Sequence, residues 1–250
     1  MKLTIVTVAY NAEATIAEAV ASVVEQKRTG YELEYIVVDG ASSDGTLAAL
    51  APFSDRIDRL ISEPDHGLYD AMNKGLASAT GDFIGFLNAD DTYAHSAVLS
   101  TVASRLLQTG AEALYADLDY VAADGTGRVV RRWRSGTFNR RNFWWGWMPP
   151  HPTFFLSKGR YDSHGGYALD FHSAADYELM LRMLCKQHVR AEYVPEVIVN
   201  MRIGGVSNAS WRNRLRANRE DRRAWRMNRL RPMPWTLIVK PLRKLGQWIR

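Results

Sequence analysis

The sequence predicts an α/β fold: a Rossmann-like, mostly parallel sheet with flanking helices, extended by a basic helical segment at the C-terminus. Three observations predict it. Apolar β-branched runs alternate with amphipathic stretches of helical spacing through the first hundred residues. Each of the first four apolar runs ends in a polar turn, and three of those turns carry acids. The chain has 250 residues, 46% of them hydrophobic, which suffices for one such domain and a short appendage. The boundary falls near residue 204, with 1–204 as the domain, in halves 1–110 and 111–204, and 205–250 as a basic amphipathic tail.

Residues 3–9 are rich in Leu, Ile, Val and Thr and read as the first strand. Residues 12–25 set Ile16, Val20, Val23 and Val24 on one face of a helix. The second strand is 33–38, a short helix over 45–50 is closed by Pro52, and 57–61 is the third strand. Leu68, Met72 and Leu76 share one face of a helix over 68–79. The fourth strand is 83–87, and 96–107 is again helical. Parallel neighbours need a crossover between them, so this βαβα order argues for a parallel sheet. The second half is less regular. Strands at 114–119 and 128–133 flank an Asp124-Gly125 turn, and aromatic residues crowd 136–156. A helix at 174–186, a strand at 191–199 and a basic helix at 208–229 follow. Pro232 and Pro234 then break the chain before an amphipathic segment over 235–249.

The net charge of +5 conceals two opposite regions. Residues 201–250 carry 14 Lys/Arg against Glu220 and Asp221, net +12, while residues 1–200 carry 18 against 25 acids, net −7. An acidic body with a basic end implies two separate tasks. Cys185 is the single cysteine, so no internal disulfide forms, and its apolar helical setting predicts a buried, inert thiol. Lys2 and the apolar residues 3–9 look briefly like a secretion signal, but Tyr10, Asn11 and Glu13 end the run too soon. No apolar stretch approaches the roughly 20 residues of a membrane span, so a cytoplasmic protein is expected. The absence of GxGxxG and GxxxxGK[ST] argues against dinucleotide and P-loop binding, and the absence of a His/Cys cluster against zinc.

In open sheets of this kind, ligands bind beyond the carboxyl ends of the strands. Tyr10-Asn11 follows the first strand, and Asp39-Gly40-Ala41-Ser42-Ser43-Asp44-Gly45-Thr46 the second. Glu63-Pro64-Asp65-His66-Gly67 follows the third, and Asn88-Ala89-Asp90-Asp91 the fourth. Two adjacent carboxylates at a strand end repel, and a hard divalent cation with oxygen ligands would relieve that cost. The blander reading is that Asp91 or Thr92 caps the helix near Ser96, and that Ser43 or Asp44 caps the one after Asp39. Asp39 stands where a base or a ribose hydroxyl is read.

Together these segments resemble the family-2 glycosyltransferases, which have the GT-A fold. The resemblance rests on Thr4-Ile5-Val6-Thr7-Val8-Ala9-Tyr10-Asn11, Tyr35-Ile36-Val37-Val38-Asp39-Gly40, Glu63-Pro64-Asp65-His66-Gly67-Leu68-Tyr69-Asp70-Ala71-Met72-Asn73-Lys74-Gly75 and Phe86-Leu87-Asn88-Ala89-Asp90-Asp91. It spans about residues 1–200 and looks like the bacterial branch that builds O-antigen, capsule or exopolysaccharide.

The resemblance implies a metal-dependent, inverting sugar transfer. The donor would be a nucleotide-diphosphate sugar, UDP by family frequency, and the acceptor a hydroxyl of a glycan or a polyprenyl-diphosphate-linked carrier. Residues 1–110 would bind the donor and 111–204 the acceptor. Ala9, Tyr10, Asn11 and Asp39 would hold the nucleoside, Thr7 would contact the donor, and Lys74 would neutralise a phosphate. Asn88, Ala89 and Asp90 would contact the donor, and Asp90 and Asp91 would bind Mg²⁺ or Mn²⁺; Asn88 takes the first acidic place of the family's Asp-X-Asp motif. Asp176 matches the second acid of the family's Glu-Asp-Tyr-X-Leu segment, with Ala175 in place of the first, and would be the base that takes the acceptor proton. The metal would offset charge on the leaving diphosphate. His151 would lie near acceptor and diphosphate, and residues 110–155 would select the donor. Trp144, Trp145 and Trp147 would stack on sugars, touch lipid or pack in the core.

The basic end reads as an interfacial helix for an anionic membrane surface, which would place the protein peripherally at the inner face of the cell membrane. Nucleic acid is not expected as a partner, because no recognition motif accompanies the arginines. Two rivals stand beside this reading. Asn88 and Ala175 suggest a catalytically silent nucleotide-sugar binding protein. A sugar-phosphate nucleotidyltransferase would need a Gly-rich basic loop where Tyr10-Asn11-Ala12-Glu13 stands.

Overall fold

A computed structural model describes residues 1–204, 211–236 and 239–240. Its strands are β1 (Lys2–Ala9), β2 (Glu32–Asp39), β3 (Arg59–Ser62), β4 (Phe83–Asn88), β5 (Thr92–Tyr93), β6 (Ala113–Val121), β7 (Val129–Trp133), β8 (Phe155–Ser157) and β9 (Ala191–Arg202). Its helices are α1 (Ile16–Val24), α2 (Thr46–Leu50), α3 (Leu68–Ser78), α4 (Val98–Thr109), α5 (Lys158–His164), α6 (Ala175–Met180) and α7 (Trp211–Met227). The strands form one sheet in the order β3-β2-β1-β4-β8-β6-β9-β5, with β7 paired to β6. The first four strands by chain order pair in parallel, joined by crossover helices as the alternation predicts. β8 runs antiparallel to both β4 and β6, so β6 and its parallel partner β9 point the same way as β4.

Register decides what meets at the edge. Ala9 lies opposite Asp39, Asp39 opposite Ser62, and Val8 opposite Asn88. The loops after four strands therefore start side by side. The sheet is packed on both faces. Leu3 and Ile5 cluster with α1 and α4, while Val6 and Val8 cluster with α3 and α6. Helix α3 lies so close to β1 that a Cβ on Gly75 would stand 2.3 Å from Val6 Cγ1, so only glycine fits there.

Several elements differ from the sequence expectation. Helix α1 begins at Ile16, because residues 12–15 form a turn closed by the Thr15 and Ile16 amides on the Ala12 carbonyl. The helix expected over 174–186 is α6 followed by a π-helical turn over Leu181–Lys186. Strand β9 runs on to Arg202, and the aromatic region is followed by β8 and α5. The described part of the basic C-terminal segment is not a free appendage. Ala224 and Trp225 of α7 are fully buried in the core cluster that holds α6. Trp225 Nε1 donates to Tyr177 Oη at 3.0 Å, and Asn228 Nδ2 donates to Glu178 Oε1 at 3.0 Å. The amphipathic segment over 235–249 lies mostly outside the described residues.

Candidate active site

One end of the site is built from the loops after β1, β2 and β3. Asp39 is completely buried and accepts hydrogen bonds from the Ser42 amide at 3.1 Å, the Ser42 hydroxyl, and the Ser62 hydroxyl at 2.7 Å. Asn11 sits in the left-handed region at φ 49°. Its amide donates to Ser42 Oγ at 2.8 Å and its Oδ1 accepts from the Ser43 amide at 2.9 Å, which ties the first loop to the second. A Cβ on Gly40 would stand 2.3 Å from Asp65 Oδ2 and 3.3 Å from the Tyr10 ring, so these two side chains wall the loop around a bare backbone. Tyr10 is 67% exposed, an unpaired aromatic face at the rim.

Three expected donor contacts are spent elsewhere. Thr7 is fully buried and its Oγ1 accepts from Tyr35 Oη at 3.0 Å, so its side chain belongs to the core. Ala89 is buried, and its amide is bound by the Val8 carbonyl at 3.2 Å. Lys74 Nζ donates to the Pro64 carbonyl at 2.6 Å and pairs with Glu63 at 2.9 Å, so its charge already serves the loop after β3.

The carboxylate pair divides its labour. Asp91 is completely buried; its Oδ2 accepts from Asn88 Nδ2 at 3.1 Å and its Oδ1 from the Arg202 amide at 3.3 Å. With both oxygens engaged inward, Asp91 is not the outward metal ligand the motif suggests. Nor does it cap α4, whose cap position is Ala97. Asp90, beside it, is half-buried. Burial raises the pKa of both acids, Asp90 raises Asp91 further, and Arg202 opposes the rise in each. Among the described residues no group of three or more His, Cys, Asp or Glu gathers to cage a metal. The residues still suit a hard cation that keeps most of its ligands from substrate and water: the half-buried Asp90 carboxylate, with Asn88 Oδ1 buried and unpartnered nearby in the same turn.

Asp176 lies in the first turn of α6, where Ala174 is the cap residue. Tyr69 Oη of α3 donates to Asp176 Oδ1 at 3.3 Å. The Tyr69 ring stacks on Tyr167 with centroids 5.7 Å apart, and Tyr167 Oη lies 2.7 Å from His151 Nε2. Phe86 of β4 touches both Tyr167 and His151. Burial lowers the His151 pKa, and the charge of Asp176 pulls it partly back. Tyr120 of β6 is a half-buried phenol. Burial raises its phenol, Arg131 lowers it, and both Asp91 and Asp176 raise it again. Arg131 lies over the Tyr120 ring at 3.5 Å.

Sequence reasoning missed Ser62, Tyr69, Tyr120, Arg131, Tyr167 and Arg202. Arg202 follows from the strand-end rule once β9 is known to continue past Val199. Tyr69 lies inside a recognised block but carries no charge to mark it.

Residues 4–166 match the sequence profile described as glycosyl transferase family 2. The chain belongs to glycosyl transferase family 2. This family-2 glycosyltransferase is 33% identical over 184 residues to an uncharacterised glycosyltransferase of Mycobacterium tuberculosis, covering 72% of this chain and 68% of that protein. It is 36% identical over 124 residues to the succinoglycan biosynthesis protein ExoO of Rhizobium meliloti, covering 49% of this chain but only 35% of ExoO. Among solved structures it resembles S. aureus TarS in complex with UDP-GlcNAc, with TM-score 0.71 and 17% identity, over 91% of this chain and 65% of that one. It also resembles the mannosyltransferase PcManGT of Pyrobaculum calidifontis in complex with GDP-Man and Mn²⁺, with TM-score 0.63 and 19% identity, over 96% and 73%. The fold of this glycosyltransferase is thus GT-A, with the curled mixed sheet and flanking helices described above. The family match also sets aside the nucleotidyltransferase alternative.

Proposed function

We propose that this glycosyltransferase moves one sugar, with inversion, from a UDP-sugar to a hydroxyl of a lipid-linked glycan in cell-surface polysaccharide synthesis. TarS, a neighbour in fold, is seen with UDP-GlcNAc, and ExoO, a relative, is named for succinoglycan biosynthesis. The observation that carries the reading is a chain of contacts between the two acidic ends: Tyr69 bonds Asp176 and stacks on Tyr167, which packs on Phe86 of β4, the strand that leads into Asp90. That is the arrangement a displacement needs: a donor diphosphate held at one acid and an acceptor proton removed at another.

In this mechanism the Asp176 carboxylate takes the acceptor proton as the acceptor oxygen attacks the anomeric carbon. The new C–O bond forms on the face opposite the diphosphate, the old C–O bond breaks, and the nucleoside diphosphate leaves with the bonding electrons. Tyr69 holds Asp176 in place through its hydroxyl, and His151 with Tyr167 forms the adjoining wall. Asp39, Tyr10 and Asn11 seat the nucleoside, and Arg202 sets positive charge beside Asp90. Asp90 would hold a divalent cation, Mg²⁺ or Mn²⁺, which when bound supplies charge to the leaving diphosphate. The lipid-linked acceptor would bring the protein to the inner face of the cell membrane.

Asp176→Asn tests the assignment. Transfer should fall by about 10²–10⁴-fold, the usual worth of a positioned base, while UDP binding measured by calorimetry stays within about twofold. Unchanged turnover in this variant would remove Asp176 from the chemistry.

A further inference from the structure

Two indoles lie on the surface. Trp145 is 53% exposed and Trp235 42%, and their rings lean together with centroids 5.7 Å apart. Met233, two residues before Trp235, is 46% exposed. The patch is held in shape by named contacts. Trp144 Nε1 donates to the Arg231 carbonyl at 2.8 Å, and Thr236 Oγ1 donates to the Trp144 carbonyl at 2.6 Å. The Lys240 backbone passes so near Gly146 that a Cβ there would stand 2.5 Å from it. The 230–236 segment is thereby clasped to the turn that carries Trp145.

Cations surround this patch in the chain. Arg141, Arg229 and Arg231 are exposed next to its two halves. Along α7, Arg219, Arg222, Arg223 and Arg226 are exposed at helical spacing, while Asp221, Ala224 and Trp225 are buried. Arg223 is paired with Asp170 at 2.6 Å. Solvent-facing indoles with a methionine, each indole with an exposed arginine four residues before it in the chain, Arg141 and Arg231, fit a boundary between apolar chains and anionic headgroups. A nucleic acid would satisfy the arginines but leave the indoles without an apolar partner.

We propose that the Trp145–Trp235 face docks on an anionic bilayer, with the indoles at headgroup depth and the arginines on lipid phosphates. The proposal rests on the lipid-linked acceptor reading above and gives it a place. Because α7 is fastened to α6, whose first turn holds Asp176, a docked face would also fix the height of the active site over the bilayer.

The test is co-sedimentation of the full chain with vesicles of phosphatidylcholine alone and of phosphatidylcholine mixed with phosphatidylglycerol. Wild type should pellet with the mixed vesicles and stay in solution with the neutral ones. The variant Trp145→Ser/Trp235→Ser should partition at least about tenfold less, and Arg222→Gln/Arg226→Gln/Arg229→Gln should lose the preference for the mixed vesicles. Both variants should bind UDP as wild type does, which shows that they are folded. Equal pelleting of wild type and the indole variant overturns the proposal. UDP binding without vesicle binding defeats this inference alone; vesicle binding without UDP binding defeats the glycosyltransferase mechanism and leaves the docking face standing.

Discussion

His151 shows how a single side chain in this site is tuned by its surroundings. Burial holds its pKa below the ordinary 6.5, with Asp176 pulling only partly the other way. Near neutral pH the folded ring is therefore neutral, able to share one proton with Tyr167. The unfolded chain, by contrast, protonates this ring near its ordinary value. As pH falls through that value, the unfolded state gains a proton that the folded state refuses, and stability declines. The melting temperature of wild type should thus fall more steeply between about pH 7 and pH 5 than that of His151→Gln. Parallel curves would show that the ring does not carry this burden. Residues of this kind set the limit of what the sequence reveals. Asp39 and Asp90 stand out in the sequence because carboxylates at strand ends are costly without a purpose, and Asp176 because its segment resembles the family's. Tyr69 and Tyr120 were not, since a tyrosine in an apolar stretch reads as core, and only their neighbours across the fold give their hydroxyls a role. Thr7 erred the other way, its hydroxyl being absorbed by Tyr35.

At the level of elements, the positioning of Asp176 depends on what stands behind α6. Tyr177, next to Asp176, receives the Trp225 indole N–H, and Lys240 Nζ lies 3.5 Å over its ring while bonding Asp221 at 2.8 Å. Glu220 accepts from the Ser173 amide at 2.9 Å, two residues before α6 begins. The C-terminal helix is therefore a brace for the helix that carries the proposed base. Trp225→Ala should lower unfolding stability by about 3–5 kcal/mol, the usual cost of removing a fully buried tryptophan, read from the urea midpoint. A change within error would mean that α7 contributes nothing to the fold. The parallel half of the sheet was legible because its apolar runs and amphipathic stretches alternate at distinct periods. The brace was not, because the arginine count of α7 drew the reading toward an isolated charged helix. Its buried stripe, Asp221, Ala224, Trp225 and Asn228, looks apolar in only two of four places.

Taken as one molecule, the protein separates its tasks across a single sheet. In the proposed mechanism the loops after β1 to β3 would seat the nucleoside; the turn after β4 carries the acid pair, β9 returns to lay Arg202 beside it, and α6 brings Asp176 from the second half. The lone cysteine plays no part: Cys185 is fully buried and burial pushes its thiol up to about 12, with Arg140 opposing only in part. The account stands on the convergence of those loops upon one donor. A crystal structure with a non-hydrolysable UDP-sugar analogue and Mn²⁺ tests it directly. The diphosphate should lie against Asp90, with the anomeric carbon turned toward Asp176 above Tyr69 and Tyr167. A sugar seated outside that cleft, or an Asp176 walled off from it by protein, would contradict the account.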